Sequence, residues 1–218
     1  MTTSYKIPPM KKLLLLLLLF TGIVNAQIVT IPDANFKASL LSASPTVQIA
    51  KDFSDQWMTI DANNDGEIQV SEAQAVKVLS ISEFLIFNVT GLNSFSNVED
   101  LRFSTSLISN LDISALTNLR ILTCFNLPIL NTLTATNMPN LTEISCFSMT
   151  NLNTLNISNL NSLAKLNCLS TSLDTLNLSG FPNLAEIIYI NNGTTAMSLT
   201  GLTNLTKLNC SGNQLTTL

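Results

Sequence analysis

The chain has 218 residues, of which 46% are hydrophobic and only 11% are charged, and it contains no histidine. This length and apolar content allow a substantial core. The net charge of −4 at neutral pH argues against nucleic acid or an anionic membrane as the main partner.

The first 26 residues have the organisation of a secretory signal peptide. Lys11 and Lys12 precede a leucine-rich run, and small residues end the segment at Ala26. The apolar run is shorter than the roughly 20 residues that a membrane span needs. We predict cleavage after Ala26 and a secreted or cell-surface location; the alternative is an uncleaved anchor. Cleavage would remove three lysines and no acid, so the net charge would change from −4 to −7.

Residues 27–90 are predicted to form a small helical N-terminal cap. Asp33 is suited to cap a first helix, because its side chain can accept a backbone hydrogen bond at the helix start. Three apolar residues spaced by four and by three predict one face of a second short helix: Phe53, Trp57 and Ile60.

Residues 61–72 carry the most specific chemical motif of the chain, DANNDGEIQVSE, which matches the EF-hand calcium loop. Calcium takes six to eight oxygen ligands, and the loop supplies them at alternating positions. Gly66 stands at the sharp turn. The predicted ligands are Asp61, Asn63, Asp65, Glu67 through its backbone carbonyl, Gln69 directly or through water, and Glu72 as a bidentate ligand. The alternative is a polar turn held by side-chain hydrogen bonds without metal. No second loop is found, so we expect a structural calcium rather than a switch.

Residues 91–218 contain one pattern six times, with a period of 21 or 22 residues: Asn-Leu, two variable residues, an apolar residue, a variable residue and usually Cys. Such a period is the signature of a solenoid, whose units must stack because none folds alone. A second apolar series, L-x-x-L-x-L, predicts a second extended segment in each unit. The six units start at Asn97, Asn118, Asn140, Ser162, Asn183 and Asn204.

The last position of the pattern predicts a core slot. A position shared by Cys, Phe and Tyr points inward, and Cys serves there as a small hydrophobe. Parallel strands lie about 4.8 Å apart, whereas a relaxed disulfide needs Cβ atoms ~3.8 Å apart. We therefore expect four buried free thiols. The slot holds Phe103, Cys124, Cys146, Cys168, Tyr189 and Cys210.

The repeats resemble the leucine-rich-repeat family, whose strand motif is L-x-x-L-x-L-x-x-N-x-L. The last unit matches it fully, through Leu205, Leu208, Cys210, Asn213 and Leu215. With the calcium-type loop, the chain looks like secreted bacterial leucine-rich-repeat proteins of the internalin type. The resemblance implies an α/β-type, β-rich repeat solenoid, a right-handed coil with parallel strands. It indicates binding but names no partner.

Most units depart from the family at its Asn position, which holds Ser106, Leu127, Met149, Thr171 and Asn192. We therefore expect the turn after each strand to be less regular than usual. The Asn that opens most repeats is expected to supply a hydrogen-bonding ladder instead.

Alternate residues of the repeat strands point outward, and one outward row is bulky and apolar. Such a patch often marks an interaction surface; the alternative is that the following turns cover it. The candidate partner-binding residues are Phe125, Phe147, Leu169 and Ile190, with Arg102, Glu143 and Lys165 beside them.

No catalytic constellation is present, because the chain lacks histidine and a G-x-S-x-G nucleophile elbow. We predict a non-enzymatic module that binds an extracellular protein or glycan. The alternatives are a passive spacer attached to a downstream domain and, less favoured, a carbohydrate-active enzyme. The array stops inside a repeat, so we expect the natural gene to continue past Leu218.

Overall fold

The computed structural model describes residues 27–173 and 176–217. The predicted signal peptide, residues 1–26, lies outside the described residues. The described chain contains two α-helices, α1 Ala34–Leu41 and α2 Val70–Gln74, and one turn of 3-10 helix, Leu92–Ser94. Its strands are β1 Ala50–Lys51, β2 Trp57–Met58, β3 Val78–Ser82, β4 Asp100–Ser104, β5 Asn110–Asp112, β6 Ile121–Phe125, β7 Thr132–Thr136, β8 Glu143–Met149, β9 Thr154–Ser158, β10 Lys165–Thr171, β11 Glu186–Ile190 and β12 Lys207–Asn209.

The chain is a β-rich solenoid built on one continuous nine-stranded sheet. The strand order is β12-β11-β10-β8-β6-β4-β3-β1-β2. All neighbours from β3 to β12 pair in parallel, and β1 joins β3 and β2 antiparallel. This confirms the repeat fold with parallel strands that the sequence predicts.

A second, smaller sheet runs along the opposite side of the coil, in the order β5-β7-β9. Its strands are parallel and in register. Isolated bridges between Asn177 and Ser198 and between Ala196 and Thr217 continue the same pairing further along the array. The second extended segment predicted from L-x-x-L-x-L is therefore confirmed.

The core fills the space between the two sheets with one layer of apolar side chains per repeat. In the third repeat, Leu141, Ile144, Cys146 and Leu152 are all completely buried. Cross-strand partners occupy equivalent repeat positions, so each buried side chain stacks on its counterpart in the next coil. A slip of one residue would turn every one of these side chains outward, so the apolar pattern fixes the register.

The slot shared by Cys, Phe and Tyr is inward, as predicted. Phe103 is 1% exposed and Tyr189 is fully buried. The four cysteines are free thiols, and three of them are buried; Cys210, on the last strand of the described chain, is half-buried. The prediction of buried thiols is thus confirmed for Cys124, Cys146 and Cys168, and only in part for Cys210.

The Asn ladder is also confirmed. The Asn118 amide donates a hydrogen bond to the Ser96 carbonyl at 3.0 Å, and the Asn140 amide donates to the Thr117 carbonyl at 3.0 Å. Each bond ties one coil to the preceding one and satisfies a carbonyl at the corner of the coil. The remaining donors of this kind are Asn97, Ser162, Asn183 and Asn204.

The chain after the core slot is regular at one position and irregular in where the strand ends. The second residue after the slot adopts the left-handed conformation in all six repeats, with φ between 50° and 70°. This residue follows β4, β6, β11 and β12 but lies inside β8 and β10, which continue to Met149 and Thr171. Leu127 and Met149, which replace the family Asn, are fully buried. The left-handed residues are Thr105, Asn126, Ser148, Ser170, Asn191 and Gly212.

The first helix of the cap is confirmed. The Asp33 carboxylate accepts hydrogen bonds from the backbone N–H groups of Asn35 and Phe36, both at 3.0 Å, and so caps α1. Phe36 and Leu40 then bury one side of the helix completely.

The second predicted helix, over Phe53, Trp57 and Ile60, is wrong. Trp57 lies in β2, which pairs with β1. The Asp52 carboxylate accepts hydrogen bonds from the backbone N–H groups of Ser54 (2.8 Å) and Gln56 (3.0 Å), so a local turn replaces the helical bonds. The turn leaves Phe53 53% exposed. The cap is accordingly mixed rather than mostly helical.

The parallel array begins earlier than the repeat pattern predicts. β3 lies within residues 27–90, yet Leu79 pairs with Leu101 and Ile81 pairs with Phe103 in register. α2 ends before this strand, so Leu79 does not belong to the helix that leaves the calcium-type loop.

Among the described residues, none of the helices has the length and apolar content that a membrane span requires.

The core slot makes a testable prediction about Cys146, which is fully buried between apolar neighbours. Replacing it by Ser places a hydroxyl in the core, which costs about 1–3 kcal/mol unless the hydroxyl finds a partner. We expect Cys146→Ser to lower the free energy of unfolding by about 1 kcal/mol more than Cys146→Ala. Urea denaturation of the two variants checks this.

Cys210→Ser is the control, because Cys210 is half-buried and the hydroxyl of a serine at this position would reach water. We expect a loss smaller than that of Cys146→Ser. If Cys146→Ser were as stable as Cys146→Ala, the slot would not behave as an apolar position.

Candidate functional site

The predicted calcium loop folds as a closed turn that is braced from two sides. Gly66 adopts φ +80°, as the sharp turn requires. Ile68 is fully buried, and its carbonyl accepts a hydrogen bond from the backbone N–H of Val29 at 2.8 Å. Lys37 of α1 forms a 2.7 Å ion pair with Glu67. The loop thereby contacts the start of the described chain and α1.

The carboxylates at the two ends of the loop are buried and organise its backbone. Asp61 is 6% exposed and Glu72 is 9% exposed. Asp61 accepts hydrogen bonds from the backbone N–H groups of Asp65 (3.1 Å) and Gly66 (2.9 Å). Glu72 accepts from the backbone N–H groups of Ala62 (2.8 Å) and Gln69 (2.9 Å). Both oxygens of Asp61 and Oε2 of Glu72 keep a further lone pair, whereas Oε1 of Glu72 also accepts a 3.4 Å hydrogen bond from the Asn63 backbone N–H.

The centre of the loop contains three polar side chains in contact. The amide groups of Asn63 and Gln69 both donate to Oδ2 of Asp65, at 3.0 and 2.9 Å. Hydrogen bonds, first of all that from the Glu67 backbone N–H, hold the pKa of Asp65 below its usual value. The amide N–H donors of Asn63 and Gln69 therefore occupy the side of this carboxylate oxygen where a bound cation would lie.

The donor set of the loop fits a hard cation. Asp61, Asn63, Asp65, Gln69 and Glu72 offer oxygen atoms of the kind that calcium takes. In the described residues, no three acidic, Cys or His side chains stand close enough to form a metal cluster as they are. Turning the Asn63 and Gln69 amides would exchange their N–H donors for oxygen ligands, with Glu67 adding its backbone carbonyl.

The outward apolar row forms a continuous ladder on the main sheet, which we call the apolar ladder: Phe125, Phe147, Leu169 and Ile190. Each member pairs in register with the next one. Phe125 is 49% exposed, and the other three are half-buried. The following turns therefore do not cover the row, and about four coils present apolar surface side by side.

A row of paired charges lies four residues before the apolar ladder, at Glu143, Lys165 and Glu186 on β8, β10 and β11, and continues to Lys207 on β12. Lys207 contacts Glu186 at 2.6 Å, and Lys165 contacts Glu143 at 4.0 Å. The Lys207 hydrogen bond lowers the pKa of Glu186. These pairs connect neighbouring coils, so opposite charges alternate along the array.

Arg102, the third predicted charged contact, lies in the row between the charges and the apolar ladder. It forms a 2.8 Å ion pair with Asp100 of its own strand. The hydrogen bond to Asp100 raises the pKa of Arg102, and its side chain remains 59% exposed. The same middle row contains Asn167, whose amide donates to Ser145 at 3.0 Å, and Ser145 in turn donates to Glu143 at 3.2 Å.

Sequence reasoning missed a second exposed apolar group, in the segment after β3. Phe84 and Phe87 are each 58% exposed, and Leu85 is 49% exposed. Asp33 accepts hydrogen bonds from the backbone N–H of Phe87 at 2.8 Å, and Asn35 donates to the Leu85 carbonyl at 2.8 Å. The cluster of large apolar residues FLIF was the available signal.

The three buried thiols cannot act as nucleophiles or metal ligands while the chain is folded, because both roles need a thiolate. Burial raises the pKa of Cys124 well above its usual value. The pKa of Cys168 is raised by its hydrogen bond with Cys146 and by burial. These sulfur atoms are core, as the repeat register indicates.

No protein-family model matches the sequence, and no curated protein matches it. Solved structures of Listeria monocytogenes internalins are similar. The functional domain of InlJ, described as including a cysteine ladder, is 21% identical, with 87% of this chain and 48% of that chain covered and a TM-score of 0.35. InlP is 20% identical, with 85% and 61% covered and a TM-score of 0.41. Internalin C2 is 16% identical, with 86% and 94% covered and a TM-score of 0.33.

The chain thus spans about half of the InlJ domain and 61% of the InlP chain. The repeat fold rests on this chain's own strand pairing.

The burial of the thiols predicts their reactivity. In the folded protein at neutral pH, we expect one thiol per chain, that of Cys210, to react quickly with a disulfide reagent such as dithiodipyridine. Cys124, Cys146 and Cys168 should react only after unfolding, because the reagent needs an accessible thiolate. Spectrophotometry with and without denaturant counts them, and Cys210→Ala is the control that should remove the fast phase. Rapid reaction of all four thiols would contradict the buried slot.

Proposed function

We propose that this chain is a secreted or cell-surface binding module that recognises an extracellular protein through the strand face of its repeats. A structural calcium in the N-terminal cap stabilises the module. The observation that supports recognition is the apolar ladder, which is continuous over four coils and lies on a rigid sheet.

The chemistry of the strand face favours a protein surface over a small molecule. Protein interfaces combine an apolar centre with a polar rim, and aromatic residues are enriched among the side chains that contribute most of the affinity. Phe125 and Phe147 supply the aromatic centre. Glu143, Lys165 and Arg102 supply the rim, where their pairing within the chain limits their contribution to affinity.

The rigidity of the face also favours binding. Its side chains project from strands whose register is fixed by the core, so little conformational entropy is lost when a partner docks. The charge row is nearly neutral as a whole, because Glu143, Lys165, Glu186 and Lys207 alternate in sign. We therefore infer that shape and apolar contact, rather than long-range attraction, select the partner.

Calcium would act on the cap and not on the strand face. Asp61, Asn63, Asp65, Gln69, Glu72 and the Glu67 carbonyl would hold it. The doubly charged ion would offset most of the negative charge of the three carboxylates gathered in one loop. Because this loop contacts α1 through Lys37 and the start of the described chain through Val29, a bound ion would stabilise the end of the solenoid.

The strand face is tested by placing a charge in the apolar ladder. We expect Phe125→Asp to weaken binding at least tenfold, because loss of a central aromatic contact costs about 2 kcal/mol or more. Selection of the wild-type chain against a display library of extracellular protein domains identifies the partner. Surface plasmon resonance with the purified partner then measures the affinity of the wild type and of Phe125→Asp.

Val47→Asp is the matched control, since Val47 is 45% exposed on a cap loop away from the strand face. It should bind like wild type. A partner that binds Phe125→Asp unchanged would exclude the apolar ladder as the contact, and a library that yields no partner would favour the passive spacer.

The calcium site is tested by Glu72→Gln, which keeps the shape of the side chain and removes its charge. With a Kd of about 1 mM, as in extracellular modules, ~10 mM calcium would add about 1.4 kcal/mol to the wild type. Wild type should therefore show a higher melting temperature in calcium than in EDTA, and Glu72→Gln should lose most of this difference. Calorimetric titration with calcium gives the affinity directly.

Glu67→Gln is the matched control, because only the backbone carbonyl of Glu67 belongs to the proposed ligand set. This variant loses the ion pair with Lys37 but should retain the calcium response. An equal calcium response in Glu72→Gln and wild type would remove Glu72 from the ligand set.

A further inference from the structure

An open groove, separate from the apolar ladder, lies at the edge of the main sheet where the repeat strands begin. It has a volume of about 610 Å³ and runs across the first coils of the array, beneath the turn that joins β1 to β2. The chain forms it from one aromatic ring, three amides and one acid–base pair: Phe53, Asn97, Asn118, Asn140, Glu99 and Arg120.

Phe53 forms one wall of the groove and has no role in the core. Its side chain is 53% exposed, although a phenyl ring in water is costly. The turn that carries it is held in place by the Asp52 carboxylate and by the 2.9 Å ion pair between Asp55 and Lys77. The backbone of the turn is thus held in place, and the exposed ring of Phe53 lines the groove.

The opposite wall is the row of Asn side chains that opens each repeat. Asn97, Asn118 and Asn140 each use one amide hydrogen to bind the preceding coil, at 2.9, 3.0 and 3.0 Å. An amide has two donor hydrogens and one acceptor oxygen. Each of these residues therefore retains a donor and an acceptor that face outward in a fixed orientation.

Glu99 and Arg120 complete the floor between these walls. Their side chains lie 3.8 Å apart on neighbouring coils, and both also line an adjacent shallow groove of about 270 Å³. The Arg120 side chain is 62% exposed and the Glu99 side chain is 32% exposed. The groove therefore offers planar acceptors and planar donors side by side, with little net charge.

This combination suits a neutral saccharide chain. Sugar hydroxyls donate and accept at once, so adjacent carboxylate, guanidinium and amide groups satisfy them in pairs, and the apolar face of a pyranose ring packs on an aromatic ring. Binding sites of this kind combine an apolar surface with a few convergent polar groups.

The paired strands at this groove favour a saccharide over an extended peptide. An extended peptide is typically held by main-chain hydrogen bonds to a free strand edge. The strands at this groove, β4, β6 and β8, are paired on both sides and offer no free edge, so a ligand meets side-chain groups instead.

We propose that the groove between Phe53 and the Asn97–Asn118–Asn140 row binds a neutral oligosaccharide, with Phe53 stacking on a sugar ring and Glu99 and Arg120 hydrogen-bonding to its hydroxyls. This site is separate from the apolar ladder and does not depend on the proposed protein partner.

The test uses the chain from Gln27 onward and a panel of hexasaccharides from cellulose, β-1,3-glucan, xylan, mannan and chitin. Calorimetry should show binding of at least one of them. Phe53→Ala should weaken that binding at least fivefold, and Arg120→Gln and Glu99→Gln should weaken it as well without a change in melting temperature. The two polar variants carry the test if Phe53→Ala disturbs folding.

Phe84→Ala is the matched control, because Phe84 is equally exposed but lies outside the groove. It should bind the saccharide like wild type, and so should Phe125→Asp, which separates this site from the strand face. Lack of binding to the whole panel, an unchanged affinity in Phe53→Ala, or preferential binding of an uncharged Gly-Ser hexapeptide would overturn the proposal.

Discussion

The structure depends on stacking equivalent residues of successive coils in register. Each repeat exposes too much apolar surface to fold alone, and only a parallel neighbour with the same pattern covers it. Ile144 and Cys146 illustrate the constraint, since both are fully buried and both pair with their own counterparts on either side. The same stacking that forms the core aligns the outward side chains, so every row on the surface is also continuous.

The three outward rows differ because their residues differ, not because the backbone does. Alternating acids and lysines pair between coils and neutralise one row. Aromatic and aliphatic residues form the apolar ladder four positions further along the strands. At the opposite edge, the Asn residues that tie the coils together leave half of each amide free. One backbone geometry thus yields a neutral polar groove and an apolar contact surface on the same molecule.

The cap joins these surfaces to the start of the array. Asp33 caps α1 and also holds the segment that carries Phe87, while Glu72 organises both ends of the calcium-type loop. Glu67 and Lys37 connect the loop to α1. The first parallel strand, β3, pairs with β1 of the cap on one side and with β4 of the repeats on the other, so cap and coils share one sheet.

The period, the parallel coil, the second extended segment, the inward Cys slot and the Asn ladder could all be predicted from the sequence, because each depends on a pattern that repeats at a fixed spacing. The helix cap at Asp33 and the oxygen-rich loop at residues 61–72 could be predicted as well, because both are local motifs. The exposure of Phe53 could not, since spacing by four and three fits a helix but the Asp52 turn competes with it. Contacts between distant residues bring β3 into the array and place Phe53 in one groove with three amides from three different repeats.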